Sequence, residues 1–122
     1  MGIFHVECII FNPAHRNRSV KLPKVLVDTG SESTWIPEHI LEEIGLKREK
    51  KDMLFQMANS QTITRSIGYA IIRAGEFVTI DEVVFAERGD LQLLGARTLE
   101  GMNVALDPRR KKLVAAGPIL AA

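Results

Sequence analysis

The chain is poor in the residues that build metal centres and disulfides: one cysteine and three histidines in 122 residues. With Cys8 alone, an intramolecular disulfide and a cysteine-based metal site both drop out. His5, His15 and His39 lack the i, i+4 or Cys-paired spacing of a transition-metal site, so neither metal nor cofactor is expected. A reducing, cytoplasmic setting is the simplest compartment. An excess charge of either sign is also missing. Sixteen Lys and Arg face fifteen Asp and Glu, a formal net charge of +1, which offers no field to recruit nucleic acid or an anionic membrane. No apolar run reaches the length of a membrane span. The opening Met1-Gly2-Ile3-Phe4-His5-Val6 has neither the basic region of a secretory signal nor the Ser or Thr of a myristoylation motif. The chain reads as one domain over residues 1–122. It is too short for two catalytic lobes, so a site that needs two halves must come from one core or from two copies.

What is there is a series of short extended segments broken by turns, the pattern of a small all-β protein. Residues 3–11 are rich in β-formers and stop at Asn12-Pro13. A second run, Val20 to Val27, contains Pro23, which argues for an edge or a bulge. After Pro37, Ile40, Leu41 and Ile44 mark a short amphipathic helix with acids in its first turn and Gly45 as its stop. Lys47 to Asp52 reads as a solvated loop. Two or three strands are expected between Met53 and Ile80, with a hairpin tip at Ala58-Asn59-Ser60-Gln61 because Asn tolerates the left-handed region, and a further strand over Asp81 to Phe85. Leu91 to Gly95 reads as a buried strand, Ala96 to Glu100 as a second short helix ended by Gly101, and Val104 to Val114 as a hairpin. The basic tip Arg109-Arg110-Lys111-Lys112 keeps that exposed turn solvated. It has no interleaved aromatics for base stacking. Arg88-Gly89-Asp90 is a coincidence of composition.

The informative segment is Val25-Leu26-Val27-Asp28-Thr29-Gly30-Ser31, a carboxylate at the end of an apolar strand followed by a hydroxyl and a glycine. Taken alone, Asp28, Thr29 and Gly30 are ordinary turn formers. With the following Glu32-Ser33-Thr34-Trp35-Ile36-Pro37, however, the segment resembles the active-site signature of aspartic proteases. One copy of the motif points to the single-domain, retroviral-type (retropepsin-like) branch. Leu93-Leu94-Gly95 before a short helix resembles that branch's second signature. Ala58-Asn59-Ser60 falls where related cellular proteases carry a flap tip, and Val104 to Leu113 is similar to their closing hairpin. The resemblance spans nearly all of residues 3–116.

It implies an all-β fold, a small closed barrel with one or two short helices, assembled as a two-fold homodimer. Asp28 from each copy would activate water, because two carboxylates about 3 Å apart cannot both ionise and so share a proton. Thr29 would reach across the two-fold axis and Gly30 would let the backbone approach the carboxylates. Ser31 would hydrogen-bond the outer oxygen of Asp28 and extend activity to more acidic pH. Glu32 would contact substrate backbone and pair with Arg97, and Ala58, Asn59 and Ser60 would close over the substrate. Trp35 reads as core or pocket wall. The tail Gly117-Pro118-Ile119-Leu120-Ala121-Ala122 offers an apolar patch for the dimer.

The leading expectation is therefore an aspartic endopeptidase acting on peptide or protein substrates. A catalytically weak dimerisation or peptide-binding module of the same fold is the alternative. A monomeric β-barrel with Asp28 as a turn former comes third.

Overall fold

The computed structural model describes residues 4–121; Met1, Gly2, Ile3 and Ala122 lie outside the described residues, so the expected start of the first strand at Ile3 and the last residue of the tail fall there. Over the described residues the chain is mostly β with two short helices. β1 (His5–Phe11) pairs antiparallel with β2 (Ser19–Val27). Its end at Asn12 is built by that residue's side chain. Oδ1 accepts the N–H groups of Ala14 and His15, and Nδ2 donates to the Ile44 carbonyl at 2.9 Å. Pro23 sits where the β1–β2 register slips between Val6 and Cys8, the bulge that its missing N–H demands.

β3 (Thr34–Pro37) leads into α1 (Glu38–Glu43), which buries Leu41 and ends at Gly45 with φ 77°. β4 (Lys50–Gln56), β5 (Thr62–Ala74) and β6 (Phe77–Ala86) form an antiparallel meander. Two sequence expectations change here. Residues 50–52 belong to β4 instead of a loop, because Lys50 is held by Glu82 at 2.6 Å across the sheet. Ile80 and Asp81 lie inside one strand, since the turn falls earlier, at Gly75-Glu76, where Gly75 takes φ 61°.

β7 is only Leu93–Leu94. Leu91, expected within it, is 64% exposed. α2 (Ala96–Gly101) follows, and β8 (Val104–Asp107) and β9 (Lys112–Ala115) make a separate hairpin. The order β1-β2-β7-β3-β6-β5-β4 has an additional β1–β5 pairing, so six of the strands form a ring with β4 attached outside. Inside it Ile10, Val25, Ile36, Ile72, Val83, Phe85 and Leu94 are almost completely buried, joined by Leu41 from α1. Cys8 belongs to the same core, and burial, aided by Glu7, pushes its thiol up to about 12, which leaves it inert.

Candidate active site

β2 and β7 run parallel, Leu26 beside Leu93 and Val27 beside Leu94. Where these apolar strands end, the Asp28 N–H donates to the Leu94 carbonyl at 3.0 Å and the Ser31 N–H returns to the Asp28 carbonyl at 3.2 Å. The turn so formed leaves the Asp28 side chain half-buried, with Oδ1 accepting the Gly30 N–H at 2.9 Å. A Cβ on residue 30 would stand 3.1 Å from that same oxygen. Glycine therefore leaves the carboxylate where the turn puts it.

β7 passes into α2 through Gly95. The loop after Asp28 is laid directly on this passage: Ala96 N–H donates to the Ser31 carbonyl at 2.7 Å and Arg97 N–H to the Glu32 carbonyl at 3.1 Å. Any Cβ on Gly95 would collide with the Ser33 carbonyl. Beneath the contact runs a buried relay. Gly95 N–H donates to Thr34 Oγ1 at 2.9 Å, the hydroxyls of Thr34 and Thr98 are 2.6 Å apart, and Thr98 Oγ1 donates to Asp81 Oδ2 at 2.8 Å. An ionised carboxylate only accepts, so the Thr98 proton points to Asp81 and Thr34 must donate to Thr98. Both threonines are fully buried. The two loops of the site are thus fixed to each other and to β6 by donors and acceptors that have nowhere else to turn.

Above this floor lies a cleft of about 540 Å³. Asp28, Gly30, Ser31 and Glu32 line its base, Trp35 and Leu93 one wall, Phe55, Met57 and Ala58 the overhanging hairpin, and Gly89 to Leu91 the outer wall. Trp35 and Phe55 pack with ring centroids 5.1 Å apart at 60°, a tilted aromatic pair that ties the β4–β5 hairpin to β3. The hairpin tip is closed by Met57 N–H to the Gln61 carbonyl at 2.8 Å and Ser60 N–H to the Met57 carbonyl at 2.9 Å. Ser60, and not Asn59, occupies the left-handed region, φ 69°. Asn59 uses its side chain instead, Oδ1 accepting the Gln61 N–H at 3.0 Å.

The outer wall is pinned by Arg65 of β5. Its Nε and Nη2 reach the two oxygens of Asp90 at 2.7 and 3.0 Å, and Asp90 Oδ2 also accepts the Glu87 N–H. Arg65 and that backbone bond hold the Asp90 carboxyl below the usual carboxylate range, and Asp90 in turn raises Arg65. Asp90 is therefore consumed inside the chain, in keeping with reading Arg88-Gly89-Asp90 as coincidence.

Of the residues singled out from sequence, Asp28, Gly30, Ser31, Glu32 and Ala58 share this cleft, while Thr29, Asn59 and Ser60 do not line it. Two expected contacts differ. Ser31 Oγ donates to the Ser33 carbonyl at 2.8 Å and not to Asp28, because its own turn supplies an acceptor. Arg97 does not pair with the Glu32 side chain. Its guanidinium lies 3.6 Å from Asp81 and 3.3 Å from Glu82, drawn there by two carboxylates already on β6. Trp35 is at once core and pocket wall. Phe55, Met57, Leu91 and Asp90 were missed as cleft residues; the spacing of Phe55 and Met57 on one face of the hairpin was the available signal.

A family model described as gag-polyprotein putative aspartyl protease matches residues 19–101. The match begins at the first residue of β2 and ends at the last of α2, so it spans both loops of the site and the hairpin above them and leaves out β1 and the β8–β9 hairpin. No curated protein matches the chain.

Proposed function

Because the chain belongs to the gag-polyprotein putative aspartyl protease family, a retropepsin-like family, we propose that it is an aspartic endopeptidase that works as a homodimer. The observation that carries this reading is the Asp28 turn: one carboxylate, oriented by Gly30 N–H, at the base of a cleft sized for an extended peptide. The relay from Gly95 to Asp81 supports it by fixing the loop that bears the carboxylate. One chain supplies one such group. Two copies related by a two-fold axis would bring the Asp28 carboxylates about 3 Å apart, where they share a proton.

The ionised member then takes a proton from water as its oxygen attacks the scissile carbonyl. The protonated member donates a hydrogen bond to the developing oxyanion and afterwards helps protonate the leaving amine. No cofactor enters this scheme. Thr29, exposed beside Asp28, is assigned to the contact across the axis, and Ala58, Asn59 and Ser60 to the flap over the substrate. We read the ring of strands as the closed barrel of the retropepsin-like fold and assign residues 1–122 to one domain, and we place the protein in the cytoplasm on its single cysteine.

The test is digestion of a diverse peptide mixture at acidic to neutral pH, read by mass spectrometry, for wild type beside Asp28→Asn. Asn keeps the shape and removes the shared proton. Cuts made by wild type and lost in Asp28→Asn are expected, a fall of at least about a thousandfold in rate. A dimeric wild type that binds peptides and cuts none would instead make the chain a peptide-binding module of the same fold.

A further inference from the structure

The charges in and around the cleft are unbalanced in a specific way. The residues that line it include three acidic ones, Asp28, Glu32 and Asp90, and no lysine, arginine or histidine. Asp90 is neutralised by Arg65. Asp28 is reserved for chemistry on the proposed reading. Glu32 is left, and its side chain is exposed. The neighbouring cation that would answer it, Arg97, shares only a backbone hydrogen bond with Glu32. Its guanidinium is engaged by Asp81 and Glu82, and Lys50 joins the same group through Glu82 at 2.6 Å. Among the described residues no cationic group comes within ion-pair distance of Glu32.

We propose that Glu32 is a specificity determinant that selects a lysine or arginine side chain in the peptide, a few residues from the bond placed over Asp28. The inference rests on the proposed function, since it names the substrate class of the same cleft. Trp35, Phe55, Met57, Leu91 and Leu93 supply an apolar wall, so the preferred segment combines a bulky apolar residue with a basic one nearby. An exposed carboxylate beside an apolar cleft wall attracts a cation because none of the cations among the described residues is paired with it, and water screens the attraction only in part. Specificity of this kind is a difference between affinities, and an acidic residue at the same peptide position is repelled.

The test separates binding from turnover. Peptides that differ only by lysine or norleucine beside an apolar residue are titrated against Asp28→Asn, and against the double variants that add Glu32→Gln or Glu32→Lys. The lysine peptide is expected to bind about fivefold tighter to Asp28→Asn, the scale of a solvent-accessible ion pair. The preference should shrink with added salt. It should vanish with Glu32→Gln and turn toward a glutamate peptide with Glu32→Lys. Equal binding of the two peptides to Asp28→Asn, an unchanged preference with Glu32→Gln, or no binding of either peptide each overturn the proposal. Failure of the peptidase reading shows elsewhere, as wild type that leaves every peptide uncut.

Discussion

Thr98 is the residue on which the floor of the site turns. Its hydroxyl accepts from Thr34 and donates to Asp81, so it joins the Asp28 loop to β6. Thr98→Val keeps the shape of the side chain and removes both bonds, leaving the Thr34 hydroxyl and one Asp81 oxygen without partners in a dry region. The expected cost is about 2 kcal/mol, within the usual range for a buried group left unsatisfied. Thr98→Ser keeps the relay and gives up one methyl, about 1 kcal/mol. Urea unfolding of the two variants checks the ranking, and a smaller loss in Thr98→Val than in Thr98→Ser would assign the role of Thr98 to packing. The turn at Asp28 was readable because it is written in consecutive residues, Asp28-Thr29-Gly30. The relay was not, because Thr34 and Thr98 are 64 positions apart and nothing local to either says which way its hydroxyl turns. The same holds for Ser31 and Arg97. Each had an acceptor that the sequence suggested and a better one that only the fold brings near.

At the scale of elements, the β4–β5 hairpin and the 87–91 loop both line the cleft, and Arg65–Asp90 is the strap between them. The side chains are 14% and 10% exposed, so removing one partner strands a largely buried charge. Arg65→Met is expected to cost about 2 kcal/mol near neutral pH, below the range for fully buried pairs because water still reaches this one. The pH dependence follows from the direction of the Asp90 shift. Its folded-state pKa is depressed, so its contribution is fully present above the ordinary aspartate value of about 3.9 and is lost as pH falls through the lower folded value. The gap between wild type and Arg65→Met should therefore close only in strong acid, and unfolding curves taken across that range measure it. A gap that closes already in mildly acidic solution would show that Asp90 is not held down by Arg65. This strap joins residues 25 positions apart and has no sequence signature. Strand periodicity and turn residues marked most of the elements, including the bulge at Pro23 and the stop at Gly45. They failed at Leu91, an apolar residue that the loop leaves on the cleft wall, and at Asp81, a polar residue kept inside β6 by the Thr98 and Glu82 groups that bond it.

For the whole molecule, the decisive number is how many copies act together. One Asp28 per chain cannot divide the roles of base and proton donor, so on the proposed mechanism activity belongs to the pair. Activity per chain should then fall on dilution in step with the dimer fraction measured by sedimentation. A small net charge of +1 puts little repulsion between two copies. In the C-terminal segment Asn103 Nδ2 holds the Gly117 carbonyl at 2.8 Å, and beyond it Ile119 and Leu120 stand 75% and 93% exposed. On the proposed homodimer we assign the contact to this segment, since its large apolar side chains are among the most exposed of the fold, beside Leu54 at 74% and Leu91 at 64%. A chain ending at Ala116 keeps the core, the relay and the cleft, so it should fold with unchanged unfolding behaviour while its dimer dissociates at higher concentration. Its activity should be recovered by raising the protein concentration, because the same pair of carboxylates forms once two copies meet. If the shortened chain dimerises as well as the full one, the pairing surface lies elsewhere. If activity per chain stays constant while sedimentation shows monomer, the two-carboxylate mechanism itself fails.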